Sequence, residues 1–380
     1  MVNLFRTQAP NTGDVRRILL FRIGSLGDTC VAIPAFRLLR NCYPSAHIRC
    51  LTNFPVATGI KAAPLASIIG QSGLVDDYLE YAIGARGDAL ALLRQIRAWS
   101  PDLLVYLMPQ RSPMQLLRDR MFFRLAGIRC AIGLELDEDA RRMRIDSRSG
   151  EHEPEAERLL RSVSALGHLD LDRPENWNLG LQPGETSAAD VHLQTWSGHV
   201  DFIAASVGTK VATKDWGEAA WRDWAQQLSR RHPNLGLALV GVQAEHARSE
   251  QLRAAWQGPA INLCGRFNPR ESAAVLQRAR AFVGHDSGPM HLAAAVGTPV
   301  VAVFSARNVP RTWFPYGREH RVLYHKTDCY GCGLDVCVVR RNECIRSITV
   351  EQVLAATEDV LAKHPAKVAA HSGAEVQTAP

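Results

Sequence analysis

Lysine is scarce in this chain: of its 44 basic residues 38 are arginine and only six are lysine, so two lysines close together stand out. Long apolar runs are missing as well. The longest stretches, such as Ala293–Phe304, are broken by Gly297 and Pro299 and fall short of the roughly 20 residues that cross a bilayer. Met1–Asp14 has no apolar core of the signal-peptide kind, which makes the cytoplasm the expected compartment. An even set of cysteines is also lacking. Nine of them, without a secretion signal, argue against a disulfide framework. Cys30, Cys42, Cys50, Cys130 and Cys264 lie in apolar segments and read as small buried hydrophobes, whereas the other four crowd into Cys329–Cys344. Nor does one sign of charge dominate. A net +6 suits an anionic substrate or a membrane surface and gives no indication of nucleic-acid binding.

What is present is ordinary for a globular protein. Hydrophobic residues make up 46% and charged residues 22% of 380, too long a chain for one core and about right for two domains. Apolar runs alternate with helix-period segments. Strands are expected at Arg17–Ile23, His47–Asn53, Val75–Tyr81, Asp102–Met108 and Ala131–Leu134. The intervening helices are Asp28–Asn41, Asp88–Trp99, a strongly amphipathic Pro113–Ala126 and Glu153–Leu166. Strands separated by helices of this length imply parallel βαβ units, covered on both faces. Asp170–Ser187, with two prolines and two glycines, reads as an interdomain linker. The alternation then resumes to Val300–Phe304, and Val350–Lys363 forms a last helix before a small, polar, disordered tail. Expected boundaries are 15–185 for the first domain, 186–348 for the second and 349–364 for the final helix, with flexible ends at 1–14 and 365–380. Ligands of such sheets bind at the carboxyl ends of the strands.

Three loops carry chemistry. The first, Arg22–Asp28, contains Gly24 and Gly27 and puts Asp28 in the first turn of a helix. There it is either an N-terminal cap or a general base facing the cleft. A dinucleotide fingerprint fails for want of a third glycine and of an acid after the second strand. The second loop, Gly208–Trp216, holds Thr209, Lys210 and Lys214, so two of the six lysines lie within five residues. Compact ammonium charges beside threonine hydroxyls suit a phosphate; the alternative is a solvated loop. In the third, Gly284–His291, Ser287 or Gly288 caps a helix whose first turn holds Pro289 and His291. Its free amides, the Ser287 hydroxyl and the His291 imidazole make a diphosphate site, while Asp286 is suited to sugar hydroxyls.

Together these loops resemble glycosyltransferase family 9, the heptosyltransferases of the lipopolysaccharide inner core. The match is carried by Arg17-Ile-Leu-Leu-Phe-Arg-Ile-Gly-Ser-Leu-Gly-Asp28, by Lys214-Asp-Trp216, and by Asp286-Ser-Gly-Pro-Met-His291 with Gly297-Thr-Pro-Val300. The resemblance implies a GT-B fold: two Rossmann-like α/β domains facing across a cleft, with the C-terminal helix packing back on the N-terminal domain. It implies inverting transfer from a nucleotide sugar with no cofactor required for catalysis. Asp28 is then the catalytic base. The donor is held by Thr209, Lys210, Lys214, Asp286, Ser287, Gly288 and His291, with Glu245 on the ribose. His285 departs from the small or amide residue more often found there.

On the acceptor side, Arg111–Arg148 contains nine arginines (111, 118, 120, 124, 129, 141, 142, 144 and 148) against six acids. Either it is a solvated surface or it meets an anionic glycolipid at the inner membrane, in peripheral contact with it. Gly27, Arg111 and Arg120 are the acceptor candidates. Cys329, Cys332, Cys337 and Cys344 have a first pair at knuckle spacing and could hold a structural zinc or iron, or remain thiols. ADP-heptose and a lipopolysaccharide-core acceptor are the favoured substrates. The alternatives are another nucleotide sugar for a surface glycan and a non-catalytic member that binds nucleotide sugar or glycolipid.

Overall fold

The computed structural model describes residues 5–54, 65–82, 88–135, 142–194 and 201–365; Arg141 and the expected tail beyond Pro365 lie outside them. Two parallel sheets make up the frame. The first is built from β1 (Arg17–Phe21), β2 (His47–Phe54), β3 (Asp77–Ala82), β4 (Leu103–Tyr106) and β5 (Ala131–Ile132), in the order β3-β2-β1-β4-β5. In register, Leu19 lies between Arg49 and Leu104. The second contains β6 (Phe202–Ser206), β7 (Gly236–Leu239), β8 (Ala260–Asn262), β9 (Phe282–His285), β10 (Val300–Phe304) and β11 (Arg321–Tyr324). Its order is β11-β10-β9-β6-β7-β8. In both sheets the strand order reverses beside the first strand, which opens a crevice at the carboxyl ends of β1 and β4 and of β6 and β9.

Among the described residues, six helices belong to the first sheet: α1 (Leu26–Cys30), α2 (Ile33–Cys42), α3 (Ala66–Ile69), α4 (Asp88–Trp99), α5 (Pro113–Leu125) and α6 (Glu155–Ser162). The rest are α7 (Pro183–Leu193), α8 (Glu218–Arg231), α9 (His246–Ala255), α10 (Pro269–Arg278), α11 (Gly288–Ala295), α12 (Glu343–Arg346) and α13 (Val350–Lys363). Strand residues are buried on both faces, as the unbroken apolar runs require: Leu19 and Phe21 meet α4 and α5, while Ile18 and Leu20 meet α2. That second core continues through α10 and α11 to Ala204, Phe282 and Ala302 of the other sheet, so one apolar body joins the two domains. On the far side Trp221, Trp224 and Leu228 of α8 cover the second sheet.

Three expectations need correction. The segment read as linker is helical from Pro183, and α7 packs against α10 because Arg270 forks onto Glu185 while also bonding the carbonyls of Ile68 and Leu179 at 3.0 Å. The final helix does not return to the first domain. Val353, Leu354, Val360 and Leu361 lie in the outer core of the second sheet, and α13 packs on α8, β10 and β11. Polar contacts hold it there, since Arg280 bonds the carbonyls of Leu361 and His364, and Arg321 pairs with Asp359 at 2.6 Å. Finally, α5 is apolar on two faces rather than one: Leu116 and Phe123 are buried, and Met114, Leu117, Met121 and Leu125 face outward.

Candidate active site

The loop after β1 turns sharply into α1. Arg22, fully buried, donates to the Leu107 carbonyl at 2.8 Å and to the Asp28 carbonyl, so the turn is riveted to the end of β4. Burial pulls the Arg22 guanidinium below its usual range, with the Asp28 charge opposing that effect. The Asp28 carboxylate accepts from the Ser25 amide at 2.7 Å and the Ser25 hydroxyl at 2.6 Å, both through Oδ2. The local capping role and the position at the crevice therefore coexist in one residue. Gly27 sits directly beneath His291 of the other domain: a β-carbon there would lie 2.7 Å from the imidazole Cδ2. Its visible role is thus the close approach of α1 to α11. Leu26 and Gly288 make the same approach one turn away.

The loops after β6 and β9 form the facing wall. Lys214, at the end of a short 3-10 turn, places Nζ 2.6 Å from the Asp286 carboxylate and 3.2 Å from its carbonyl. Asp286, 5% exposed, also accepts from the Asn308 amide at 3.0 Å, and His291 Nε2 lies 4.0 Å away. Burial pushes the His291 imidazole down to about 4; Asp286 opposes this, Lys214 adds to it and Asp28 opposes it. The ring is accordingly neutral near pH 7 and offers one N–H. Ser287 and Gly288, partly exposed, open α11 with its first-turn amides turned to the crevice. Thr209 spends its hydroxyl inside the loop, on Val211, while Lys210 is exposed beside it.

The Glu245 carboxylate folds back against two glycines. A β-carbon at Gly208 or Gly241 would come within 2.0 or 2.2 Å of it, so both backbones must be bare for the acid to reach the ends of β6 and β7. A gap of about 320 Å³ between the domains is lined by Cys30, Glu155, Trp177, His291 and Tyr316. A second, shallow cleft opens at the ends of β4 and β5 among Tyr106, Gln110, Arg111, Glu135 and Arg158. Arg158 is held there by a buried fork to Glu155, at 2.7 Å, and by the Met108 carbonyl.

Of the acceptor candidates, Arg111 lines this cleft and Arg120 does not. Arg120 is 2% exposed, donates to the Leu134 carbonyl at 2.5 Å and lies over the Phe5 ring at 5.3 Å. The structure assigns it to the packing of the first domain. All nine cysteines are free thiols, and among the described residues no three His, Cys, Asp or Glu side chains are grouped to hold a metal ion. The cysteines therefore do not fit a zinc or iron site. Gly331 and Gly333 make tight turns at φ +73° and +65°, and their amides tie the segment to the carbonyls of Ala306 and Arg307. The Thr213 hydroxyl bonds the Leu334 carbonyl at 2.7 Å, so this segment buttresses the Lys214 loop.

Sequence reasoning gave no structural role to four residues that shape the site: Arg22, His285, Arg248 and Asn308. His285 Nε2 accepts from the Trp216 amide at 3.0 Å and from Trp221 Nε1 at 3.2 Å, which clamps the Lys214 loop to β9. Burial takes this imidazole down to about 4, against the raising effect of Asp215. Asn308 orients Asp286, and Arg248 forks onto Asp215 at 2.8 and 2.9 Å. A signal existed for Arg22 alone, a charge at the end of an otherwise apolar strand.

The fold and the family have counterparts among known proteins. The profile described as "Glycosyltransferase family 9 (heptosyltransferase)" matches residues 114–341. Lipopolysaccharide heptosyltransferase 1 of Pseudomonas aeruginosa is 30% identical over 195 residues, 51% of either chain, so the alignment spans about half the length of that relative. The crystal structure of a glycosyl transferase family 9 protein from Veillonella parvula superposes with a TM-score of 0.68 at 19% identity, covering 94% of this chain and all of that one. The E. coli ADP-heptose lps heptosyltransferase II gives 0.63 at 20%, covering 91% and 99%. At these identities the two structures establish the shared two-domain GT-B fold.

Proposed function

The chain belongs to glycosyltransferase family 9, and on that footing we propose that it is an inverting transferase that moves heptose from ADP-heptose onto a glycolipid of the lipopolysaccharide-core type. The observation that carries the reading is the meeting of α1 and α11. An acid, Asp28, stands on one side of that contact, and an anion-binding helix start with Lys214 and His291 stands on the other. A nucleotide diphosphate would take the first-turn amides of α11, the Ser287 hydroxyl and a share of Lys214, which Asp286 now holds. Thr209 and Lys210 extend this grip along the Lys214 loop. Glu245, lying between Gly208 and Gly241, is placed to accept from ribose hydroxyls.

In the reaction the acceptor hydroxyl attacks the anomeric carbon from the face opposite the leaving diphosphate, which inverts that centre. The hydroxyl proton goes to Asp28. The bond to the diphosphate breaks, and the charge that develops on its oxygens is met by Lys214, the helix amides and the N–H of His291, groups already fixed in place. Arg111, with Gln110 and Arg158 around it, supplies the cleft for an anionic acceptor. Such an acceptor sits in a membrane, so the protein works from the cytoplasm in peripheral contact with the inner membrane surface.

The donor is tested by thermal denaturation with a panel of nucleotide sugars, because a ligand of the folded state raises Tm by mass action. ADP-heptose should raise Tm by several degrees at concentrations well above Kd, and more than UDP- or GDP-sugars. A shift with another sugar nucleotide and none with ADP-heptose overturns the donor assignment.

A further inference from the structure

The outer helical layer of the first domain carries more apolar surface than its fold requires. In α5 the inward positions are Leu116, Asp119, Arg120 and Phe123. Met114, Leu117, Met121 and Leu125, spaced by three, four and four, fall on the opposite side of the same helix. Beside it lies α4, which turns Leu92 and Ile96 into the same core and Leu90 away from it. These five outward side chains are 45–77% exposed. Among the described residues the remaining large exposed apolar groups fall chiefly on the cysteine segment, on the other domain.

The flanks of this surface are basic. Arg118 and Arg124 border the α5 stripe on either side, and the exposed Arg94 and Arg97 lie on the outward side of α4. Between 111 and 129 there are five arginines, of which Arg120 is buried, and one acid, Asp119, which is turned inward to the Tyr106 hydroxyl at 2.7 Å and pairs with Arg118. Large apolar side chains in a bed of arginines, with no acid on the outward side of α5, match the chemistry of an anionic bilayer: chains for the apolar stripe, phosphates for the guanidiniums. The stripe also starts next to the acceptor cleft. Arg111 lines the cleft, Ser112 caps α5, and Leu116 reaches the cleft from inside the helix.

We propose that the outer faces of α4 and α5 form a docking surface for an anionic lipid bilayer, in which Met114, Leu117, Met121 and Leu125 enter the headgroup boundary. The orientation brings the cleft of Arg111 down to the membrane, where a glycolipid headgroup emerges; that last point rests on the acceptor assignment above, and the docking itself does not. Helices that lie in the interface in this way gain from apolar contact and from each arginine, by roughly fivefold in affinity per charge near the surface.

The experiment is cosedimentation of the full chain with vesicles of phosphatidylcholine alone or with about a third phosphatidylglycerol, at low and high salt. Binding to the anionic vesicles only, weakened at least tenfold at 0.5 M salt, is expected. The variant Met114→Gln/Leu117→Gln/Met121→Gln/Leu125→Gln should lose at least tenfold in binding, and Arg94→Gln/Arg97→Gln/Arg124→Gln a comparable amount. Both variants should keep the Tm and the nucleotide-induced shift of the parent, which shows that they fold. No binding by the parent, or binding unchanged in both variants, overturns the proposal. So does a dimer in sedimentation equilibrium that the glutamine variant splits, since the stripe would then be the interface with a second copy. Because the vesicles contain no glycolipid, failed sugar transfer by the parent would strike the enzymatic reading and leave this result standing.

Discussion

Lys214 and Asp286 illustrate how a single pair can hold a site ready. Both are largely buried, and the 2.6 Å contact leaves each dependent on the other. Replacing Lys214 with Met strands a carboxylate that is 5% exposed, at a cost of about 3 kcal/mol. The double replacement Lys214→Met/Asp286→Asn should recover most of that stability, measured by urea unfolding, without recovering donor binding. Two neutral histidines make a second prediction. His285 and His291 are each pushed down to about 4 by burial, whereas the unfolded chain titrates them near 6.5. Between those values the unfolded state binds more protons, so stability is complete above pH 6.5 and falls as pH drops towards 4. By pH 5 the loss is about 2 kcal/mol for a single such group. Urea midpoints at pH 7.5 and 5 should show it, and His285→Asn should flatten the slope. Equal midpoints in the parent at the two pH values would contradict the assignment.

At the scale of elements, the contact of α1 with α11 decides whether the acid and the anion site share a cleft. Gly27→Val places carbon where the His291 ring now lies, 2.7 Å from its Cδ2. We expect about 1–3 kcal/mol of destabilisation in urea unfolding and a smaller nucleotide-induced Tm shift, as overpacking at that contact forces the helices apart. An unchanged Tm shift would mean that the contact is not needed for donor binding. These elements were largely legible beforehand. Buried parallel strands leave unbroken apolar runs, so β1 and β10 could be placed within two residues, and Asp88–Trp99 and Val350–Lys363 match the observed helices end for end. What escaped depended on partners remote in sequence. The edge strand β11 is four residues long, half-buried and opened by an arginine, too little pattern to separate it from loop. Arg120 reads like any surface arginine until Phe5 and the Leu134 carbonyl are seen around it. The apolar face of α13 would fit either domain. Its carbonyl bonds with Arg280, far away in sequence, settle the matter.

At the scale of the whole molecule, two sheets with the same reversal of strand order face one another, and on the proposed reading the loops at their carboxyl ends supply opposite halves of one chemistry. The shared apolar core and the buried Arg270, which bonds the carbonyls of Ile68, Leu179 and Gly180, hold the halves together. That division of labour predicts a clean separation of binding from transfer. Asp28 lies in the first domain and the proposed donor contacts lie in the second, so Asp28→Asn, which keeps an acceptor for the Ser25 amide, should leave nucleotide affinity intact. The decisive measurement is a single-turnover assay of the Asp28→Asn protein with ADP-heptose and a glycolipid acceptor, run beside calorimetric titration of the donor. We expect a donor Kd within about twofold of the parent and a transfer rate lower by at least ~100-fold, the usual scale for a lost general base. Transfer at the parental rate would remove Asp28 from the reaction.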